Sequence, residues 1–151
     1  MNRRNWKRHL WTLLLVANLV LIWGNSMLPG SQSREVSDGF LRQFAFLPAL
    51  LGENGPKLIR KAAHFAEFAC LGFLLAGFFR ARGRAPLLPG ALCGLLSACV
   101  DETIQLFSPG RASAVADVWL DFAGTLAGIF LLHFGHILWT KTRKSLKSEE
   151  K

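Results

Sequence analysis

Long apolar runs alternate along the chain with short polar interruptions, and four of the runs approach the roughly 20 residues that a helix needs to cross a bilayer. They lie at Leu10–Leu28, Ala62–Phe79, Leu87–Phe107 and Ala114–Trp139. The pattern predicts an all-α integral membrane four-helix bundle. The polar stretch after the first run, "SDGFLRQFAFLPALLGENGP", is itself periodic: Phe40, Phe44, Leu47 and Leu51 recur at helical spacing. Ser37 or Asp38 could cap such a helix and Pro48 would interrupt it, so a short helix lying on the membrane surface is expected there. Two pairs of glycines four residues apart, Gly90/Gly94 and Gly124/Gly128, sit in the third and fourth runs. Small residues at that spacing let helix backbones approach closely, which predicts packing within the chain; self-association stays open.

Composition supports one membrane domain over residues 1–140, followed by a basic cytoplasmic tail, 141–151. The chain of 151 residues is 51% hydrophobic and 19% charged, too apolar for a soluble domain of this size. The first run follows "RRNWKRH" as in a secretory signal. Gly24-Asn25-Ser26 is a poor cleavage site, however, and bulky Met27 and Leu28 follow it, so the segment is expected to stay as an anchor. The tail "KSLKSEEK" reads as solvated and unstructured.

The net charge of +8 does not mark a nucleic-acid surface, because the basic residues fall in short clusters between the apolar runs. Counted on alternate sides, 12 of the 18 lysines and arginines lie at the N-terminus, in the loop Arg80–Arg84 and in the tail. The positive-inside tendency then places both termini in the cytoplasm and turns the loops Pro29–Lys57 and Ser108–Ser113 outward, in a multi-pass protein of the cytoplasmic membrane. The clusters also suit anionic inner-leaflet lipid. Trp6, Trp11, Trp23, Trp119 and Trp139, with His133 and His136, fall near the expected interfaces and read as anchors. Cys70, Cys93 and Cys99 have no metal or disulfide spacing and read as small core residues.

Five of the ten acidic residues interrupt the apolar runs: Glu67, Asp101, Glu102, Asp117 and Asp121. An unpaired charge at the bilayer centre costs about 2.5–3.5 kcal/mol or more, so these groups need compensation. At about 1.5 Å of rise per residue, all five lie about 5–10 Å below the same outer surface. Lys61, His64 and Glu67 are successively one turn apart, as are Asp101 and Gln105, and Asp117 and Asp121. Asp101 and Glu102 are adjacent, about 100° apart around the helix, so one must face the cluster and the other a neighbouring helix or the interface. Lys61, Arg111 and two helix N-termini lie near this level and favour anions. Together they outline a polar cavity opening outward.

The segments "KAAHFAEFACLGFLL" and "DETIQLFSPGRASAVADVWLDFAGTLAG" resemble those of the VanZ-like proteins, small polytopic membrane proteins associated with glycopeptide (teicoplanin) resistance. The shared positions are Lys61, His64, Phe65, Glu67 and Phe68, then Asp101, Glu102, Gln105, Phe107, Pro109, Arg111, Asp117 and Gly124, and "NSMLPGSQS" is similar to that family's exit from its first helix. The resemblance spans about residues 26–128, and Asp121 stands where the pattern has asparagine. It implies a role in the cell envelope, with an effect on susceptibility to a cell-wall antibiotic.

Three readings of the polar residues follow. In the first, the site binds or remodels an amphiphilic envelope molecule, a membrane lipid or lipid-linked cell-wall precursor. His64, Glu67, Asp101, Glu102 and Asp117 would then be the catalytic candidates, with His64 moving a proton and Glu67 or Asp117 orienting it. Lys61, Gln105, Arg111 and Asp121 would bind substrate. Whether anything is turned over stays open, as does any cofactor. In the second, His64 and the carboxylates hold a divalent metal, although no cysteine or second histidine joins them. In the third, the charges form a buried ion-pair network that fixes helix register: Lys61 or Arg111 against Asp117, and His64 against Glu67.

Overall fold

The computed structural model describes residues 3–43, 52–111 and 113–149. Its elements are all helical: α1 (Arg3–Ser26), α2 (Gly30–Gln43), a 3-10 turn at Gly52–Asn54, α3 (Gly55–Ala81), α4 (Leu87–Leu106) and α5 (Val115–Glu149). Among the described residues four helices are long and apolar enough to cross a membrane, over Asn5–Ser26, Gly52–Ala81, Leu87–Leu106 and Val115–Arg143. The four expected spans are therefore present, and α1, α3 and α5 run on into the flanking polar sequence.

Local chemistry sets the boundaries. Pro29 disfavours helical geometry at Leu28, so α1 ends just before it. Pro56 lies in the first turn of α3, where no intrahelical donor is missed. At its other end, Gly83 takes φ 76°, its N–H bonding Arg80 O at 2.9 Å while Arg84 N–H bonds Phe79 O at 3.0 Å. This left-handed residue satisfies the last carbonyls of α3 and lets the chain reverse into α4.

Two expectations are corrected at the periphery. The helix after the first span begins at Gly30, so Ser37 and Asp38 lie inside α2 instead of capping it. Its start is fixed by a long-range bond, Gly30 N–H to Pro109 O at 2.9 Å, and a side chain at Gly30 would strike the Gly110 carbonyl. Phe44, Leu47, Pro48 and Leu51 lie outside the described residues. The tail is helical through Glu149 where an unstructured segment was expected. Lysine, glutamate and leucine are good helix formers, and extending a nucleated helix costs far less than starting one.

α3 is the centre of the bundle. It packs against α1, α2, α4 and α5, whereas α1 packs on α3 and α4 but not on α5. The buried core consists of Leu15 and Ile22 of α1, Phe68, Leu71, Leu74, Leu75 and Phe79 of α3, and Ala98 of α4. Outward faces carry exposed apolar rows such as Leu88, Leu92 and Leu96 on α4, the surface a lipid-facing helix presents. Lipid is as apolar as leucine, so burial from water does not hold such helices together; close packing does. Thr125 of α5 fits where Gly72 of α3 and Gly94 of α4 leave room for it, and Gly128 lies on the backbone of Ala69 and Phe73. The glycine pairs thus pack within the chain.

The cysteines correct another expectation. Cys70, Cys93 and Cys99 are all exposed, on the outward faces of α3 and α4. Cysteine is apolar enough for either environment, and helix rotation decides which one it meets. Trp6, Trp119 and Trp139 are exposed as anchors would be, while Trp11 and Trp23 also pack against the core.

Candidate functional site

The last turns of α1 and α4 meet the first turns of α3 and α5 at one end of the bundle, and the polar residues converge there. Asp101 is fully buried. Ser26 Oγ of α1 donates to its Oδ1 at 2.6 Å, and Gln105 Nε2, one turn along α4, donates to its Oδ2 at 2.8 Å. Its neighbour Glu102, also buried, turns the other way: Ser113 Oγ at 2.5 Å and Ala114 N–H at 3.0 Å both donate to Oε2. The divergence expected of adjacent helical residues is therefore realised. Asp101 serves the α1 side and Glu102 the start of α5, where a carboxylate is favoured by the unsatisfied N–H groups.

Arg111 does the complementary task at the C-terminus of α1. Its Nη2 donates to Asn25 O at 2.8 Å and its Nε to Leu28 O at 3.0 Å, with Ser108 Oγ donating to Ser26 O at 2.8 Å. A guanidinium on the last carbonyls of a helix satisfies acceptors that have no intrahelical donor. Burial and then nearby Arg60 pull its pKa below the usual arginine value while Asp101, Glu67 and Glu102 pull it back. It stays charged. Two of its donors are thus committed to backbone, which narrows the anion-binding role expected of it.

Lys61 pairs with Asp117, across α3 and α5. Glu67 accepts from Asn25 Nδ2 at 3.1 Å through Oε1, while its Oε2 is buried with no hydrogen-bond partner among the described residues. Among the described residues His64 forms no ion pair with Glu67 or Asp117, the two orienting groups expected for it. Its Nδ1 sits 3.9 Å from Asp101 Oδ2 and 3.9 Å from Asp121 Oδ1. Asp121 is 1% exposed, and neither of its carboxylate oxygens has a hydrogen-bond partner among the described residues.

A cavity of about 20 Å³ lies among these groups, lined by His64, Glu102, Gln105, Asp117, Leu120 and Asp121 together with the cations Arg60, Lys61 and Arg111. That is space for about one water or one small ion. A larger headgroup must therefore meet the cations from outside.

All nine expected site residues fall in or beside this cluster. Sequence reasoning missed the α1 contribution, Asn25 and Ser26, as well as Arg60, Ser108 and Ser113. The signal was present as the polar pair Asn25-Ser26 closing an apolar run. Amides and hydroxyls are so ordinary at helix ends that the pair by itself does not point to a buried carboxylate on another helix.

A family model described as VanZ/LLP1 matches residues 11–138. No curated protein and no solved structure matches the chain.

Proposed function

The chain belongs to the VanZ/LLP1 family, and from that premise we propose that it binds or remodels an amphiphilic molecule of the cell envelope, a lipid-linked phosphate or cell-wall precursor. The site faces outward from the cytoplasmic membrane, both termini lie inside, and the consequence for the cell is altered glycopeptide susceptibility. The observation that carries this reading is the shared cavity: Arg60, Lys61 and Arg111 line the same small space as His64 and Asp121. Cations at the membrane edge recognise phosphate oxygens, and the exposed apolar helix faces let the attached chain stay in lipid. Orientation rests on the same asymmetry as before: counted along the sequence, 12 of the 18 lysines and arginines fall in the N-terminus, the Arg80–Arg84 loop and the tail, not in the segments that frame this cavity.

The residues divide into two groups by what they touch. Arg111, Glu102 and Ser113 hold helix ends, which is a structural task. Lys61, Arg60 and His64 are the groups left to meet a ligand, Lys61 by exchanging Asp117 for a phosphate oxygen. Catalysis, where it occurs, draws on His64, the one imidazole at this end.

Native mass spectrometry of the full chain released from membrane lipid tests the reading. A phosphate-bearing lipid should co-purify with the wild type and be lost in Lys61→Ala. Equal retention of the same lipid by both would remove the site from lipid recognition.

A further inference from the structure

The carboxylates of Asp101 and Asp121 both approach His64 Nδ1, and among the described residues neither is paired with a lysine or arginine. Among the described residues the ammonium of Lys61 is paired with Asp117, outside this trio, and the Arg111 guanidinium is bonded to α1 carbonyls. Two buried carboxylates in a membrane-spanning bundle repel one another unless a proton or a cation intervenes. The geometry favours the cation. The His64 nitrogen and one oxygen from each aspartate lie within 4.8 Å of one another. His64 Nδ1 is 3.9 Å from each oxygen, too far for a hydrogen bond. Donors that both bond one ion at about 2.0–2.2 Å stand about 3–3.5 Å apart, so each His64–carboxylate separation must shorten by about half an ångström and the carboxylate-to-carboxylate separation, within 4.8 Å, by up to about 1.3 Å.

Two further observations point the same way. Among the described residues neither oxygen of buried Asp121 has a hydrogen-bond partner, and Asp121 and His64 line a cavity of about 20 Å³, with Asp101 outside its lining, that has room for an ion and not a headgroup. Asp101 is held in place by Ser26 and Gln105, the outer support that metal-binding carboxylates use. We infer that His64, Asp101 and Asp121 form a divalent-cation site between α3, α4 and α5. One imidazole and two carboxylates make a hard-to-borderline donor set, suited to Mn²⁺ or Zn²⁺ and poor for a soft ion. With the ion bound, His64 holds it instead of carrying a proton, and Arg60 and Lys61 remain for an anion. The site shares His64 with the lipid reading but not the cations Arg60 and Lys61, so loss of metal binding in Asp121→Asn and loss of lipid in Lys61→Ala are separable.

The test uses purified full chain in lipid nanodiscs of zwitterionic lipid, stripped with chelator, and the metal alone as probe. Mn²⁺ binding is followed by electron paramagnetic resonance, and Zn²⁺ by competition. One saturable equivalent per chain is expected. Asp121→Asn and His64→Gln should each weaken it at least 10-fold, His136→Gln at the far end should leave it within about 2-fold, and the wild type should melt at a higher temperature with metal. Circular dichroism melts of the metal-free variants show that they fold, and either variant alone suffices for the comparison. Absence of saturable binding of either ion, or binding undiminished in a folded Asp121→Asn or His64→Gln protein, overturns the inference.

Discussion

The hydroxyl of Ser26, the last residue of α1, donates to the buried carboxylate of Asp101 on α4 at 2.6 Å, so the end of the first span is tied to the acidic centre of the third. Removing the hydroxyl leaves Oδ1 of a 0%-exposed aspartate without that donor. Ser26→Ala should therefore lower stability by about 1–3 kcal/mol. Thermal denaturation in a fixed detergent or nanodisc reads this, and an unchanged melting temperature would show that the bond contributes nothing net.

Arg111 and Lys61 should separate in the same measurement. Arg111→Ala uncovers the Asn25 and Leu28 carbonyls of α1, two charge-assisted bonds, and should cost about 1.5–3 kcal/mol. Lys61→Ala breaks a pair whose side chains are 35% and 27% exposed and should cost at most about 1 kcal/mol. Equal losses would mean that Lys61 is structural too.

Close helix approach makes one glycine irreplaceable and another not. A side chain at Gly128 would strike the carbonyl of Ala69, a backbone atom that cannot rotate away, while Gly135 in the same helix faces open space. Gly128→Val should abolish accumulation of folded protein or cost more than the roughly 1–3 kcal/mol typical of overpacking. Gly135→Val should stay within about 0.5 kcal/mol of wild type. Comparable yields and melting points for the two would contradict the α3/α5 packing.

Topology is checked by labelling in intact cells. Cys70, Cys93 and Cys99 are exposed and support no core, so a cysteine-free background should fold. Ser31 and Arg84 are both exposed, in the two polar segments that should face opposite sides. Ser31→Cys should react with a membrane-impermeant thiol reagent and Arg84→Cys only after lysis. The reverse pattern would put the acidic cluster on the cytoplasmic side.

Amino-acid order by itself determined that four helices form, roughly where each begins and ends, and that Glu67, Asp101, Glu102, Asp117 and Asp121 share one level. These properties are local: run length, rise per residue and one-turn spacing need no knowledge of neighbouring helices. Tertiary structure alone decided which group each of them meets. His64 faces Asp101 and Asp121 instead of Glu67, Arg111 caps α1 instead of pairing with Asp117, and the three cysteines look outward. The reason is rotational. A helix in lipid gains little from turning any particular apolar face inward, so its angle about its own axis is set at close contacts, Gly72 and Gly128 against neighbouring backbone and Gly94 against the Thr125 side chain. Those contacts between distant segments fix which side chains point into the cavity, and a linear reading of spacing cannot supply that angle.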